Sequence, residues 1–249
     1  MALTSSSYTV TTFTHESLIL GHTYIYRVTA SNLMGFGAYS ASYSFIPRSV
    51  PTKPLKAPIN VQASTTRTTL FVSYDKIWDD GGAPILNYNI YIDGGNNGTT
   101  YTGPIANGPT LLTWNSGALT LVTGRTYQVK YSATNIHGEG PTSDIVRILL
   151  AVAPSAPSNL QRIDMNSLTA GDIRVKWQLP ADNGGSPVNG YRLYLNDVLL
   201  VDASTQSTLN SYTYTGLSVG QTYLLSISAV NNIGESPKAS LSLLAASVP

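Results

Sequence analysis

Three stretches of this chain alternate apolar and polar residues with a period of two and close in the same way: Tyr24 to Asn32, Tyr127 to Asn135 and Tyr223 to Asn231, each ending in Ala-x-Asn. Successive side chains of an extended strand point to opposite faces, so this alternation predicts half-buried β-strands. Shorter runs behave alike. Leu70, Val72 and Tyr74 fall on one face, as do Ile173, Val175 and Trp177 in a later stretch. No segment carries a sustained 3.6-residue apolar period with helix caps. Short strands punctuated by turn signals predict an all-β sandwich.

The strands belong to an internal repeat. Leu18-Ile-Leu-Gly21-His-Thr-Tyr24 recurs as Leu121-Val-Thr-Gly124-Arg-Thr-Tyr127 and as Leu217-Ser-Val-Gly220-Gln-Thr-Tyr223, at spacings of 103 and 96 residues. A glycine follows each Ala-x-Asn three residues later, at Gly35, Gly138 and Gly234. Two copies share a second signature: Asp79-Asp-Gly81-Gly82-Ala-Pro84, leading to Tyr88 and Tyr91, matches Asp182-Asn-Gly184-Gly185-Ser-Pro187, leading to Tyr191 and Tyr194. This is turn chemistry, because glycine tolerates positive φ and proline presets entry into the next strand.

Prolines break strand pairing and mark the boundaries. Pro51, Pro154 and Pro249 each follow the repeat glycine by 15 or 16 residues. The expected units are therefore 1–50, 51–153 and 154–249, the first matching only the second half of a repeat, with Met1 aligned near Leu200. Both ends read as cut.

Pro-x-x-Pro, the second-strand Trp177, Gly-Gly-x-Pro, Leu-x-x-Gly-x-x-Tyr and Ala-x-Asn-x-x-Gly together resemble the fibronectin type III family. The resemblance implies tandem immunoglobulin-like sandwiches of seven strands, A, B and E against C, C′, F and G, without disulfides. The absence of Cys fits this. It also implies that Tyr24, Tyr127 and Tyr223 are corner tyrosines bonded to nearby backbone. Trp177, Tyr191, Leu193, Leu217, Tyr223, Leu225 and Ile227 should form one core. Copy two departs from copy three: Tyr74 stands where copy three has Trp177, and about seven extra residues, including Gly94-Gly-Asn-Asn-Gly98, are expected in a long exposed C′–E connection.

Composition narrows the function. Charged residues are only 11% and the net charge is +1, which leaves no field for gathering phosphates and argues against nucleic acid as a partner. The apolar run from Ile148 to Ala153 is six residues, far short of the ~20 of a membrane helix, so no membrane span is expected in this segment. His15, His22 and His137 are scattered without metal-ligand spacing, and no nucleophile elbow or phosphate loop occurs. No catalytic residue, metal site or cofactor is expected, and the chain is read as a non-enzyme.

Three features remain. By the family's layout the B–C loop (Asp79, Asp80) and F–G loop (His137, Glu139) share one end of the sandwich. They could form a weak cation site, a partner contact or simply a solvated turn beside the joint with the preceding unit. Trp78 is expected to pack into that joint. Asn97-Gly-Thr99 is the only N-glycosylation sequon, on the extra loop. Two readings of function stay open. In one, the chain is a structural segment of a long array in a cell-surface or extracellular fibre, its partners being neighbouring modules or copies of itself, with a glycan attached. In the other, the B–C and F–G loops recognise a protein or carbohydrate. Short proline-bearing linkers predict a semi-rigid rod.

Overall fold

The computed structural model describes residues 12–163 and 170–246. Met1 and Pro249, used above to align the ends of the repeat, lie outside them. The strands in chain order are β1 (Tyr24–Tyr26), β2 (Ser31–Asn32), β3 (Gly35–Phe36), β4 (Tyr43–Phe45), β5 (Ile59–Asn60), β6 (Phe71–Ser73), β7 (Asn87–Asp93), β8 (Tyr101–Asn107), β9 (Thr113–Asn115), β10 (Thr126–Asn135), β11 (Gly138–Glu139), β12 (Val146–Leu149), β13 (Ser158–Arg162), β14 (Ile173–Gln178), β15 (Val188–Leu195), β16 (Val198–Ala203), β17 (Ser211–Tyr214), β18 (Thr222–Asn231) and β19 (Ala239–Leu244). A single 3₁₀ turn, Gln62–Ser64, is the only helical element among the described residues.

Two complete sandwiches follow one plan. In the first, β5-β6-β9 faces a sheet in which β10 lies between β7 and the hairpin strands β11 and β12, with β8 outside β7. In the second, β13-β14-β17 faces β16-β15-β18-β19. These are the A-B-E and C′-C-F-G sheets, paired antiparallel throughout. Alternation sends every second side chain inward. Leu70, Val72, Tyr74, Tyr88, Ile90, Val129 and Tyr131 meet in one core, and Ile173, Val175, Trp177, Tyr191, Leu193, Leu225 and Ile227 in the other. Leu217 and Tyr223 pack at the edge of the second core, half-buried. Tyr74, in the place of Trp177, stacks its ring on Tyr131 at 4.7 Å and donates its hydroxyl to the Leu111 carbonyl, so the smaller aromatic still fills and satisfies its site.

The three repeat tyrosines do the same thing. Each hydroxyl accepts the backbone N–H five residues upstream: Ile19 to Tyr24 at 2.8 Å, Val122 to Tyr127 at 2.7 Å and Ser218 to Tyr223 at 3.0 Å.

One expected connection is elsewhere. The extra residues around Gly94 to Gly98 lengthen the C–C′ hairpin between β7 and β8, not the C′–E link. Gly95, Asn96 and Asn97 all adopt positive φ, a run that turns the chain straight back, and the Asp93 carboxylate accepts the Gly95 N–H at 3.0 Å. In the second sandwich the same hairpin turns on Asn196 and Asp197 alone, both also at positive φ.

Residues 12–50 are different. β1 pairs with β4 and β2 with β3, the F–G hairpin of a sandwich, and no other sheet strand joins them among the described residues.

Candidate functional site at the joint between sandwiches

The Asp-x-Gly-Gly turns do more than reverse the chain. The Asp79 carboxylate accepts the Gly81 N–H and the Asp80 carboxylate that of Gly82, each at 2.9 Å. Asp182 and Asn183 repeat this with Gly184 and Gly185, at 2.7 and 2.9 Å. The side-chain oxygens hold the turn rigid and aim its own carbonyls at the incoming linker. Ser49 N–H donates to the Gly81 carbonyl at 2.9 Å and Thr52 N–H to that of Asp79 at 3.1 Å. A copy later, Val152 N–H reaches Gly184 O at 2.8 Å and Ser155 N–H reaches Asp182 O at 2.9 Å.

The asparagine of Ala-x-Asn closes the arrangement. Asn135 Nδ2 donates to Ser49 O and to Asp80 O, both at 2.7 Å, tying linker, B–C turn and F strand together. Asn231 Nδ2 does so for Val152 O and Asn183 O at 2.8 and 2.9 Å. Their side-chain oxygens accept the N–H groups of His137 and Ile233. These asparagines are 2% and 4% exposed, so every polar atom must be satisfied inside, and it is.

The glycines explain themselves by contact. A Cβ on Gly81 would lie within 3.0 Å of Ser49 O and Val50 O, and one on Gly184 within 3.0 Å of Val152 O and Ala153 O. A Cβ on Gly82 would strike Gly21, and one on Gly185 would strike Thr123 and Gly124. The Leu-x-x-Gly turn of one unit therefore seats the second glycine of the next, backbone against backbone. The second joint adds side chains: Arg67 pairs with Asp182, and Thr123 Oγ1 donates to the Arg67 carbonyl at 2.6 Å. Repetition of a turn signature suggested local chemistry. The signal that reached further was the asparagine recurring at one offset in all three copies.

The residues singled out in the sequence divide. Asp79 and Asp80 lie in the joint through their backbone carbonyls, with carboxylates spent on the turn. His137 lines a shallow recess with Ser44, Phe45, Ile46 and Arg48 of the preceding unit. Trp78 does not pack into the joint: it is 67% exposed, because the contact there is made by backbone and leaves the side chain outside. Glu139 is not gathered with the loop acids. Register places it opposite Thr134, on the outer face of the C–F–G sheet, where Tyr91 and Ser132 donate to its carboxylate. Glu235 repeats this with Tyr194, Ser228 and Arg192. Burial would raise both carboxyls, but the hydrogen bonds they accept outweigh it and hold them below the ordinary glutamate range. Burial, together with the bond to Glu139, pushes the Tyr91 hydroxyl up to about 12. Asn97 is exposed at the hairpin tip. No three His, Asp or Glu side chains converge as metal ligands among the described residues.

The family model of the fibronectin type III domain matches residues 155–243. This is a tandem fibronectin type III chain. Human fibronectin type-III domain-containing protein 3A is 26% identical over 235 residues, which cover 90% of this chain and 18% of that protein. Exoglucanase B of Cellulomonas fimi is 25% identical over 245 residues, 94% of this chain and 21% of the enzyme, and human myomesin-2 is 30% identical over 229 residues, 87% and 15%. The chain thus spans about a fifth or less of these relatives. No helix among the described residues is long and apolar enough to cross a membrane.

Proposed function

We propose that this chain is a structural, spacer-type segment of a longer fibronectin type III array, with modules at 51–153 and 154–249 and the C-terminal half of a module at 1–50. The observation that carries this is the joint, built twice from the same residue types with the same hydrogen bonds. A linker whose N–H and C=O groups are bound into the next module's turn transmits orientation, as a spacer must. The half-module reading rests on exposure. Val28 holds the place of Tyr131 and Ile227, yet it is 72% exposed where they are 1% and 0%. Tyr43 and Phe45, which β4 sets opposite Tyr26 and Tyr24 on that same face, are also exposed. Such a face needs an A–B–C half laid over it, from the same polypeptide or from a neighbouring chain. The carboxylates of Asp79, Asp80, Glu139 and Glu235 are engaged in turns and sheet-face bonds, which supports a non-enzymatic role.

Placement outside the cell belongs to the same proposal, supported by the charge-poor surface and the sequon at the exposed Asn97. Denaturing electrophoresis of native material tests the array: a band far above 26.5 kDa supports it, and a band at that mass supports assembly from short subunits. A glycosylated Asn97 in its mass spectrum supports the extracellular placement, and an unmodified one counts against it.

The exposure of Trp78 favours a second reading, in which the B–C loop anchors a protein or carbohydrate. Exposed aromatics are common binding anchors. Trp78 has no counterpart in the next module, where Ala181 stands. Titration with a panel of soluble oligosaccharides, followed by Trp fluorescence, tests its carbohydrate form. A shift lost in Trp78→Ala supports it, and a flat response opposes it.

A further inference from the structure

We propose that the turn at Gly220 is a preformed receptor for the Asp-x-Gly-Gly turn of a further fibronectin type III module. The inference deepens the array reading and rests on it.

The three Leu-x-x-Gly turns are built alike. Gly21, Gly124 and Gly220 have φ of 79°, 85° and 84°. Their N–H groups donate to Pro47 O, Leu150 O and Ala245 O at 2.9, 2.8 and 2.8 Å, and each turn closes with an N–H to carbonyl bond, from His22 to Ile19, Arg125 to Val122 and Gln221 to Ser218, at 3.3, 3.3 and 3.2 Å. The corner tyrosine braces each from beneath. Two of them differ from the third in one respect. Gly82 lies against Gly21 and Gly185 against Gly124, whereas a Cβ on Gly220 would meet nothing within 4 Å among the described residues.

A surface held in its bound geometry before the partner arrives loses little entropy on docking. Its shape also states what it accepts. The partner must bring a glycine at positive φ, because any Cβ there would overlap backbone in both existing joints. A second copy of this chain cannot supply that group as it stands, since both of its Gly-Gly turns are already seated. The occupant is therefore the B–C turn of another module.

The test uses the full chain extended by repeating residues 155–249 directly after Pro249, which appends one module with its own Asp-x-Gly-Gly turn. In the parent chain, proton NMR should show Hα cross-peaks for Gly21–Gly82 and Gly124–Gly185. In the extended chain a third should join Gly220 to the appended second glycine, within about twofold of the others in intensity, instead of the free inter-domain motion that is the default for small interfaces. Core methyl shifts of the appended module report its folding independently. Changing its second glycine to Asn keeps positive φ accessible while adding a Cβ. That variant should leave the core shifts in place and let the module tumble faster by 15N relaxation. A folded appended module with no third cross-peak, or one whose tumbling ignores the Asn, would overturn the inference. Neither result touches the array reading, which the mass of native material decides.

Discussion

Val28 and Tyr131 occupy one position of the repeat, 103 residues apart, and meet opposite fates: one faces solvent and the other is sealed in a core. The asparagines tell the same story. Asn135 and Asn231 are buried and bridge a linker to a turn, while Asn32 is exposed and its side-chain oxygen merely accepts the Met34 N–H at 2.9 Å. The local sequence is alike in each case, so burial here is a property of what lies across the sheet. An F–G hairpin keeps its own turn and corner where no second sheet lies across it among the described residues, but not its core.

That contrast can be broken at several depths. Trp177→Ala should cost about 3–5 kcal/mol and lower the second module's melt by more than ~10 °C, while Val28→Ala should stay within about 0.5 kcal/mol. Calorimetry of the two variants decides whether the exposed face contributes to stability. Next in size, Asn135→Ala or Asn231→Ala strands two carbonyls at a joint and should cost about 1–3 kcal/mol in urea unfolding, with Asn32→Ala silent. The Arg67–Asp182 pair, whose side chains are 44% and 48% exposed, should show a coupling of only about 0–1 kcal/mol in a cycle with Arg67→Ala and Asp182→Asn, shrinking as salt rises.

The smallest effect concerns pH. Because the fold holds Glu235 and Glu139 below the ordinary glutamate range, their contribution is full above the unfolded value and is lost as pH falls through the folded one. Glu235→Gln should flatten the acid limb of a stability–pH profile and leave it unchanged near neutrality in slope. An unaltered acid limb would show that its bonds to Tyr194, Ser228 and Arg192 do not favour the ionised form.

The fold was legible because inward positions such as Leu70, Val72 and Tyr74 alternate cleanly, and because the corner tyrosines recur in a fixed frame. Other features resisted for physical reasons. Gly94 to Gly98 signals a turn but not which strands it joins, so its place in the C–C′ hairpin needed the register of β7 on β8. Trp78 carries no hint that the joint beside it is made by backbone. Glu139 sits in a loop by sequence, yet the short β10–β11 pairing swings it onto the sheet face. The joint itself was half visible: the glycines showed as turn residues, but their contact with Gly21 and Gly124 crosses between units that no local pattern connects.

The claim beneath all of this is that these joints fix the orientation of adjacent modules. Residual dipolar couplings of the full chain, weakly aligned, test it most directly. Couplings from 59–149 and from 173–244 should fit a single alignment tensor with the joint geometry described above. Two tensors of clearly different magnitude would mean that the modules reorient independently and that the repeated hydrogen bonds do not hold them.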